Sequence, residues 1–400
     1  MANTILTPTA VTREALRVLH AKLKFIGSIN REYDDQYAKK GAKIGNDLKI
    51  RLPNQYTVRT GAVLDVQNTA EDSVTLSVAT QKGVDINFTS EEMTMDLDDF
   101  SKRILQPAMA RLASEMEKDA YSMYQQVSNM VDSDAAAIDY MDILMAKQRL
   151  VENLVPDEDQ LSCQLSPFHV PKLLNDLKSL QNDRNAISKN YKDGMVASFA
   201  GTDFYQNTHA TNHTTGTAVK ATTYTVNGAT QNGSTITIQT GSTSFLVGDI
   251  VTFAGCNEVH PETKADLGYL KQFVVTANSG TSATSLSISP ALIPPQVNAA
   301  KANCSDYPDN TGAVVKVGAA ANETLTTSMM YHKDAFTFAT ADLIMPSGVD
   351  FSARQVLDGI SMRIVRQYDI NNDQFPCRLD VLYGYKAIRP QLACRIHADA

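Results

Sequence analysis

The chain has no tryptophan, no Cys-x-x-Cys pair and no apolar run long enough to cross a bilayer. Its five cysteines, Cys163, Cys256, Cys304, Cys377 and Cys394, are odd in number and widely scattered. Free thiols in a reducing compartment are therefore expected rather than a disulfide framework. The opening stretch MANTILTPTAVTREALRVLH has no basic segment followed by an apolar core, so no secretory leader is expected. The sequence also lacks G-x-x-x-x-G-K-[ST], G-x-G-x-x-G, G-x-S-x-G and H-E-x-x-H. These absences exclude the common nucleotide-binding, serine-hydrolase and zinc-protease signatures. A net charge of −8 argues against a dedicated nucleic-acid binder.

The charge that is present is unevenly placed. Residues 1–60 hold eleven Lys/Arg against five Asp/Glu, whereas residues 61–100 hold one Lys against nine Asp/Glu. Opposite blocks attract either across copies of one chain or not at all, as solvated surfaces. The candidate inter-subunit contacts are Arg51 and Arg59 from the first block, and Asp65, Glu71 and Asp72 from the second. Residues 216–320 hold only eleven charged side chains and are rich in Ser, Thr, Gly, Val and Ala.

Hydrophobic spacing sets the expected elements. Ala15, Leu19, Leu23 and Ile26 recur at helical steps over residues 10–26, with Thr12 as the expected cap. DLKIRL, DSVTLSV and GVDINF alternate with period two. The first two of these strands enclose a polar, turn-rich segment and read as a long hairpin with a wide tip. Such a hairpin is marginal alone and needs a cover. Asp96, Asp98 and Asp99 then suit a helix N-terminus. Phe100, Ile104, Ala108, Leu112, Met116, Ala120, Met123 and Val127 follow as one apolar stripe. Pro107 predicts a turn, then a kink or fresh start, then a long helix to about Val127. DAAAIDYMDILMAKQRLVENL predicts a second helix. LSPFHVPKLLNDLKSL predicts a third, with Ser166 as N-cap and Pro167 in its first position. From residue 216, TTYTV, STITI, DIVTFAG, QFVVTA, TSLSISP and AVVKV predict a small all-β module inserted between α/β segments. GISMRIVRQYDI and CRLDVLYGYKAI predict two buried strands joined at NNDQFP.

Candidates for chemistry are few. His209 and His213 in HATNH sit four apart, but the segment is poor in helix formers and lacks a third ligand. Glu258, His260 and Glu262 in NEVHPE suit acid–base work only if a cavity and a nucleophile join them. Cys163 and His169 straddle a predicted helix start, with a buried structural cysteine as the plainer reading. No catalytic, cofactor-binding or metal residue is assigned. The features that stand out are extended ones: an arm, a hairpin, a long helix and an inserted β-module.

In that order, the segments resemble the major capsid proteins of tailed double-stranded DNA phages, specifically the podovirus coat type with an inserted β-domain. The phrases that carry the resemblance are DDFSKRILQPAMARLASEMEKDAY, LSPFHVPKLLND, FAGTDFYQNTHATNHTTGT, VGDIVTFAGCNEVHPETKADLGYLKQFVVTA, YHKDAFTFATADL and RLDVLYGYKAIRPQLACRI. The resemblance implies an α+β fold of the tailed-phage capsid type with an inserted all-β, barrel-like domain. It implies an N-terminal arm at 1–40, an extended hairpin loop at 41–88, and a peripheral domain at 89–134 with its spine helix at 97–127. An axial domain follows at 135–215, the inserted domain at 216–320, the second axial part at 321–377 and a peripheral return strand at 378–400. It further implies hexamers and pentamers of one chain in an icosahedral shell, formed with a scaffolding protein and a portal protein in a bacterial cytoplasm. That shell would enclose double-stranded DNA without sequence-specific binding, without a membrane, and in some cases under a decoration or cement protein. Where the family carries a longer acidic loop between capsomers, the hairpin TVNGATQNGSTITI is short. Either the loop NEVHPETKADLG, with Glu258 and Glu262, or a separate cement protein is the expected substitute contact. A cellular nanocompartment shell of the same fold and a hydrolase built on His260 are the alternatives.

Overall fold

The structure is a computed structural model that describes residues 8–31, 47–64, 66–68, 71–89, 106–133, 137–156, 161–177, 201–210, 212–220, 224–239, 243–281, 284–317, 321–357 and 360–399. The expected caps Asp96, Asp98 and Asp99 and the contact residue Asp65 lie outside the described residues. The chain divides into two compact units, one drawn from Met1–Ile50, Ser73–Tyr121 and Phe336–Ile388, the other from Arg51–Asp72, Ser122–Ala335 and Arg389–Ala400.

In the first unit, helix α1 spans Pro8–Lys22 and α2 spans Phe25–Ser28. Ala15, Leu19, Leu23 and Ile26 are buried as the spacing predicts. Two expectations fail here. Thr12 lies inside α1 and is buried, because Pro8 suits a first turn and starts the helix earlier. The helix also breaks before Phe25, where the buried Glu117 carboxylate accepts the amides of Phe25 (3.1 Å) and Ile26 (3.2 Å). A side chain thus starts a new helix by satisfying two orphan donors.

Glu117 belongs to α3, Gln106–Tyr121, which continues as a 3-10 turn to Gln126. Pro107 sits in the first described turn, where its missing amide costs least. Leu112, Met116 and Ala120 of the predicted stripe are buried. Strands β1 (Asp47–Arg51) and β2 (Ser73–Ser77) pair with each other. β3 (Thr80–Thr89) instead pairs along the later strand β18 (Gln374–Ala387), so residues 80–88 belong to a sheet rather than to the loop. β18 also pairs β15 (Phe336–Ala341) and β17 (Ile360–Arg366), and β17 pairs β16 (Phe351–Leu357). A side chain at Gly384 of β18 would collide with the Ser77 carbonyl at the end of β2, so glycine lets the hairpin stem approach that strand.

Among its described residues the second unit holds two sheets. The first runs in order β4 (Met130–Ser133), β19 (Ala393–Asp399), β14 (Thr324–Tyr331), β5 (Leu161–Leu165), β6 (Thr202–Gln206), with β7 (Asn212–Thr214) also on β14. Helix α4 (Tyr140–Glu152) is capped by Asp139, whose Oδ1 accepts the amides of Met141 (2.9 Å) and Asp142 (3.1 Å). α5 spans Val170–Leu177, one turn later than predicted. Ser166 to His169 forms a turn instead, closed by the His169 amide on the Ser166 carbonyl at 3.0 Å.

The inserted module is a six-stranded sheet ordered β13-β10-β11-β12-β9-β8, spanning β8 (Thr225–Val226), β9 (Gly233–Gln239), β10 (Ile250–Val259), β11 (Asp266–Val275), β12 (Ser285–Leu292) and β13 (Val314–Val317). Bonds from Val226 N to Gly312 O (2.9 Å) and Val314 N to Tyr224 O (2.7 Å) close its two edges into a barrel. Ile236, Phe245, Phe253, Phe273, Leu286 and Val314 fill the interior.

The two compact units group the chain differently from the expected segments. Residues 336–377, expected with the axial segment, fall in the unit of α3. β18 and β19, expected as one peripheral return, divide between the two units. Strand pairing decides this: β18 bonds β3, whereas β19 bonds β4 and β14.

Candidate assembly interface: the loop after β1

Residues 52–72 leave the β1–β2 stem with one backbone bond at its neck, Leu52 N to Asp72 O at 2.9 Å. Farther out, the Gln67 side chain bridges the loop. It accepts the Thr57 amide at 2.8 Å and donates to the Thr57 carbonyl at 2.6 Å. One amide side chain thus replaces a rung of ladder and keeps the two limbs together. Beyond it Gly61 takes a φ of 98°, and the Arg59 guanidinium turns back onto the Gly61 carbonyl.

The tip is apolar and exposed. Val58 is 96%, Val63 85% and Leu64 77% accessible, with Tyr56 and Val66 beside them. The signal was present in YTVRTGAVLDVQ, but these residues follow neither a helical nor a strand period and so escaped pattern reading.

The charged candidates separate into different roles. Arg51 and Glu71 meet each other at 3.0 Å across the neck. Asp72 pairs with Lys301 of the barrel at 2.5 Å. Arg59 stays exposed on its own loop. Glu262 is exposed in a turn where the amides of Glu262 and Thr263 donate to His260 Nδ1 at 3.3 and 3.1 Å. That ring therefore serves the turn. Glu258 is buried and accepts Lys271 Nζ at 3.1 Å, so it cannot present its charge to a neighbour. The reason is cross-strand: Glu258 lies near the end of β10, and the Lys271 side chain of β11 reaches it.

Loop neck and barrel enclose a cleft of about 540 Å³, lined on one side by Leu52, Pro53 and Asp72 and on the other by Lys264, Lys271 and Lys301. Lys264 Nζ donates to the Ala302 carbonyl at 3.0 Å, and burial beside Lys271 lowers its pKa.

The other chemical candidates do not assemble into a site. His213 is buried on β7, where Nε2 lies 3.0 Å from Asp249, while His209 sits in the turn after β6. Among the described residues no group of three or more His, Cys, Asp or Glu could hold a metal ion. All five cysteines are buried and free. Burial pushes the Cys163 thiol well above its ordinary range, so it is not an activated nucleophile. No helix among the described residues is long and apolar enough to cross a membrane.

Comparison with known proteins gives one family. The family described as P22 coat protein, gene protein 5, matches residues 29–395. A comparison with individually curated proteins finds no match. Among solved structures, a chain of Mycobacterium phage Che8 is similar at a TM-score of 0.50 and 10% identity, covering 94% of this chain and 90% of its own. A chain from the capsid of Ralstonia phage GP4 has a TM-score of 0.47 and 9% identity, covering 95% and 92%.

Proposed function

Because the chain belongs to the P22 coat protein family, and is thus a structural subunit of a phage capsid, we propose that its copies join as hexamers and pentamers of an icosahedral shell, each gripping a neighbour with the loop of residues 52–72. The observation that carries this reading is the exposed apolar tip of Tyr56, Val58, Val63, Leu64 and Val66. A soluble monomer gains nothing from such a tip, and large exposed apolar patches mark interaction sites. Covering each Val or Leu is worth about 1.5 kcal/mol or more.

Charge plays a lesser part. Arg59 and Glu262 remain exposed and available to a neighbour, whereas Arg51, Glu71 and Asp72 hold the loop's own neck. Family membership favours this phage shell over a cellular nanocompartment. The shell encloses double-stranded DNA without reading its sequence. A chain of net charge −8 adheres weakly to phosphates and lets the genome move. Assembly in the bacterial cytoplasm, with a scaffolding protein, a portal protein and in some cases a cement protein, is part of the same proposal.

The test is the double substitution Val63→Lys and Leu64→Lys. Both side chains are exposed in the single chain, so its unfolding free energy should change by no more than about 0.5 kcal/mol. Particle yield by electron microscopy should collapse. Normal yield of closed particles from the variant would overturn the loop's assigned role.

A further inference from the structure

Two of the five cysteines meet inside the barrel. Segment 304–309 runs antiparallel beside the second half of β10. Ser305 N donates to the Asn257 carbonyl at 2.9 Å, and Asp309 N donates to the Ala254 carbonyl at 3.0 Å. Glu258 and Cys304 pair as a bridge in this register, which sets Cys256 opposite Asp306. Cys256 Sγ accordingly lies 3.5 Å from the Asp306 carbonyl oxygen. Cys256 and Cys304 are thus diagonal neighbours across the pair of chains. Both are fully buried in the barrel core beside Phe253, Phe273 and Leu292. Their thiols share a hydrogen bond.

The remaining cysteines have no such neighbour. Cys163 and Cys394 both stand beside Met330, but on opposite sides of β14. Two strand spacings put their Cα atoms about 9.6 Å apart, beyond the roughly 7 Å that a disulfide can bridge. Cys377 is the only cysteine of the first unit.

The pair is also unequal. The hydrogen bond from Cys256 lowers the Cys304 thiol, and the Lys271 charge and the Ile293 amide add to this against the effect of burial. Cys256 is raised by the same hydrogen bond and by burial. Cys304 therefore carries the thiolate character that attacks an oxidant. It also lies behind the wall of the cleft between loop neck and barrel. Its chain neighbours Ala302 and Asn303, its bridge partner Glu258, and Lys271 and Ile293 all line that cleft.

We propose that Cys256 and Cys304 are an oxidation site, which a small peroxide converts into a disulfide that staples the segment after β12 to β10. The Cys304 sulfur attacks one peroxide oxygen. The O–O bond breaks, the leaving hydroxide takes a proton to become water, and Cys304 becomes a sulfenic acid. The Cys256 sulfur then attacks the Cys304 sulfur. The S–O bond breaks, and the hydroxide that leaves takes the Cys256 proton as a second water. Two thiols and one peroxide give one disulfide and two waters, with sulfur oxidised and oxygen reduced by two electrons. The pair stays reduced where thiols are kept reduced and closes when the protein meets a peroxide.

The experiment uses the full chain, purified with its thiols reduced and then treated natively with hydrogen peroxide. Denaturation in N-ethylmaleimide blocks the remaining thiols. Trypsin cleaves after Lys264 and Lys301, which places Cys256 and Cys304 on different peptides for mass spectrometry. The two peptides should be recovered joined, with the loss of two hydrogens, and should separate on treatment with dithiothreitol. Cys304 should be lost to alkylation at least about tenfold faster than Cys163. In Cys256→Ala, Cys304 should stop at the sulfenic acid and be captured by dimedone. In Cys304→Ala, Cys256 should stay alkylated. Both thiols still alkylated after excess peroxide, or either one joined to a different cysteine, would overturn the site. A Cys256→Ala chain without a dimedone adduct would overturn Cys304 as the attacking thiol. If the variants do not fold, the peptide map of the unmodified chain decides alone.

Discussion

Lys301 of the barrel and Asp72 of the hairpin loop form an ion pair at 2.5 Å, two hundred and more residues apart in sequence and within one compact unit. The loop is held at its neck and free at its tip. Lys301→Ala should cost the subunit under about 1 kcal/mol, because the Asp72 side chain is 61% exposed and such pairs are screened. The loosened neck should nevertheless be cut by trypsin after Arg51 and Arg59 several-fold faster. Equal cleavage rates would show that the pair does not restrain the loop.

Glu117 is the buried carboxylate that starts α2. Removing it in Glu117→Ala leaves two buried amides without an acceptor and should lower stability by about 3 kcal/mol. Denaturant melting checks this. A loss below about 1 kcal/mol would mean that water or another group replaces the carboxylate.

Gly384 permits the approach of β2 to β18. Gly384→Ala should cost about 2 kcal/mol through overpacking, read as a lower denaturant midpoint with an unchanged slope. An unaffected midpoint would show that the hairpin stem shifts at no cost.

Stability should also fall as the pH drops below the ordinary histidine value. His169 and His397 have folded-state values below the ordinary 6.5, so their contribution is complete above that value and is lost as pH drops through it. Each removes about 1.4 kcal/mol per pH unit between its unfolded and folded values. Urea midpoints at pH 7 and pH 5 measure the loss, and equal midpoints would contradict it.

Much of the architecture was legible because burial imposes period. Leu76 and Val78 alternate and are buried; Leu112, Met116 and Ala120 repeat at helical steps and are buried. The six barrel strands fall on the six predicted segments. What escaped depends on partners distant in sequence. Glu117 looks like a surface residue until Phe25 supplies two amides. Glu258 looks like part of an acidic surface loop until Lys271 faces it across the strand pair. The unit boundary within 321–400 follows from which strand β18 bonds, and no local pattern states that. Arg395 and His397 alternate on β19 like any inward-facing pair, so a charged cluster in place of an apolar core was invisible from spacing alone.

The central claim is that the loop tip is an assembly surface, and a high-resolution reconstruction of the assembled particle tests it most directly. The account predicts Tyr56, Val58, Val63 and Leu64 buried against a neighbouring copy in every quasi-equivalent position. A closed shell in which those four side chains remain in solvent throughout would contradict it.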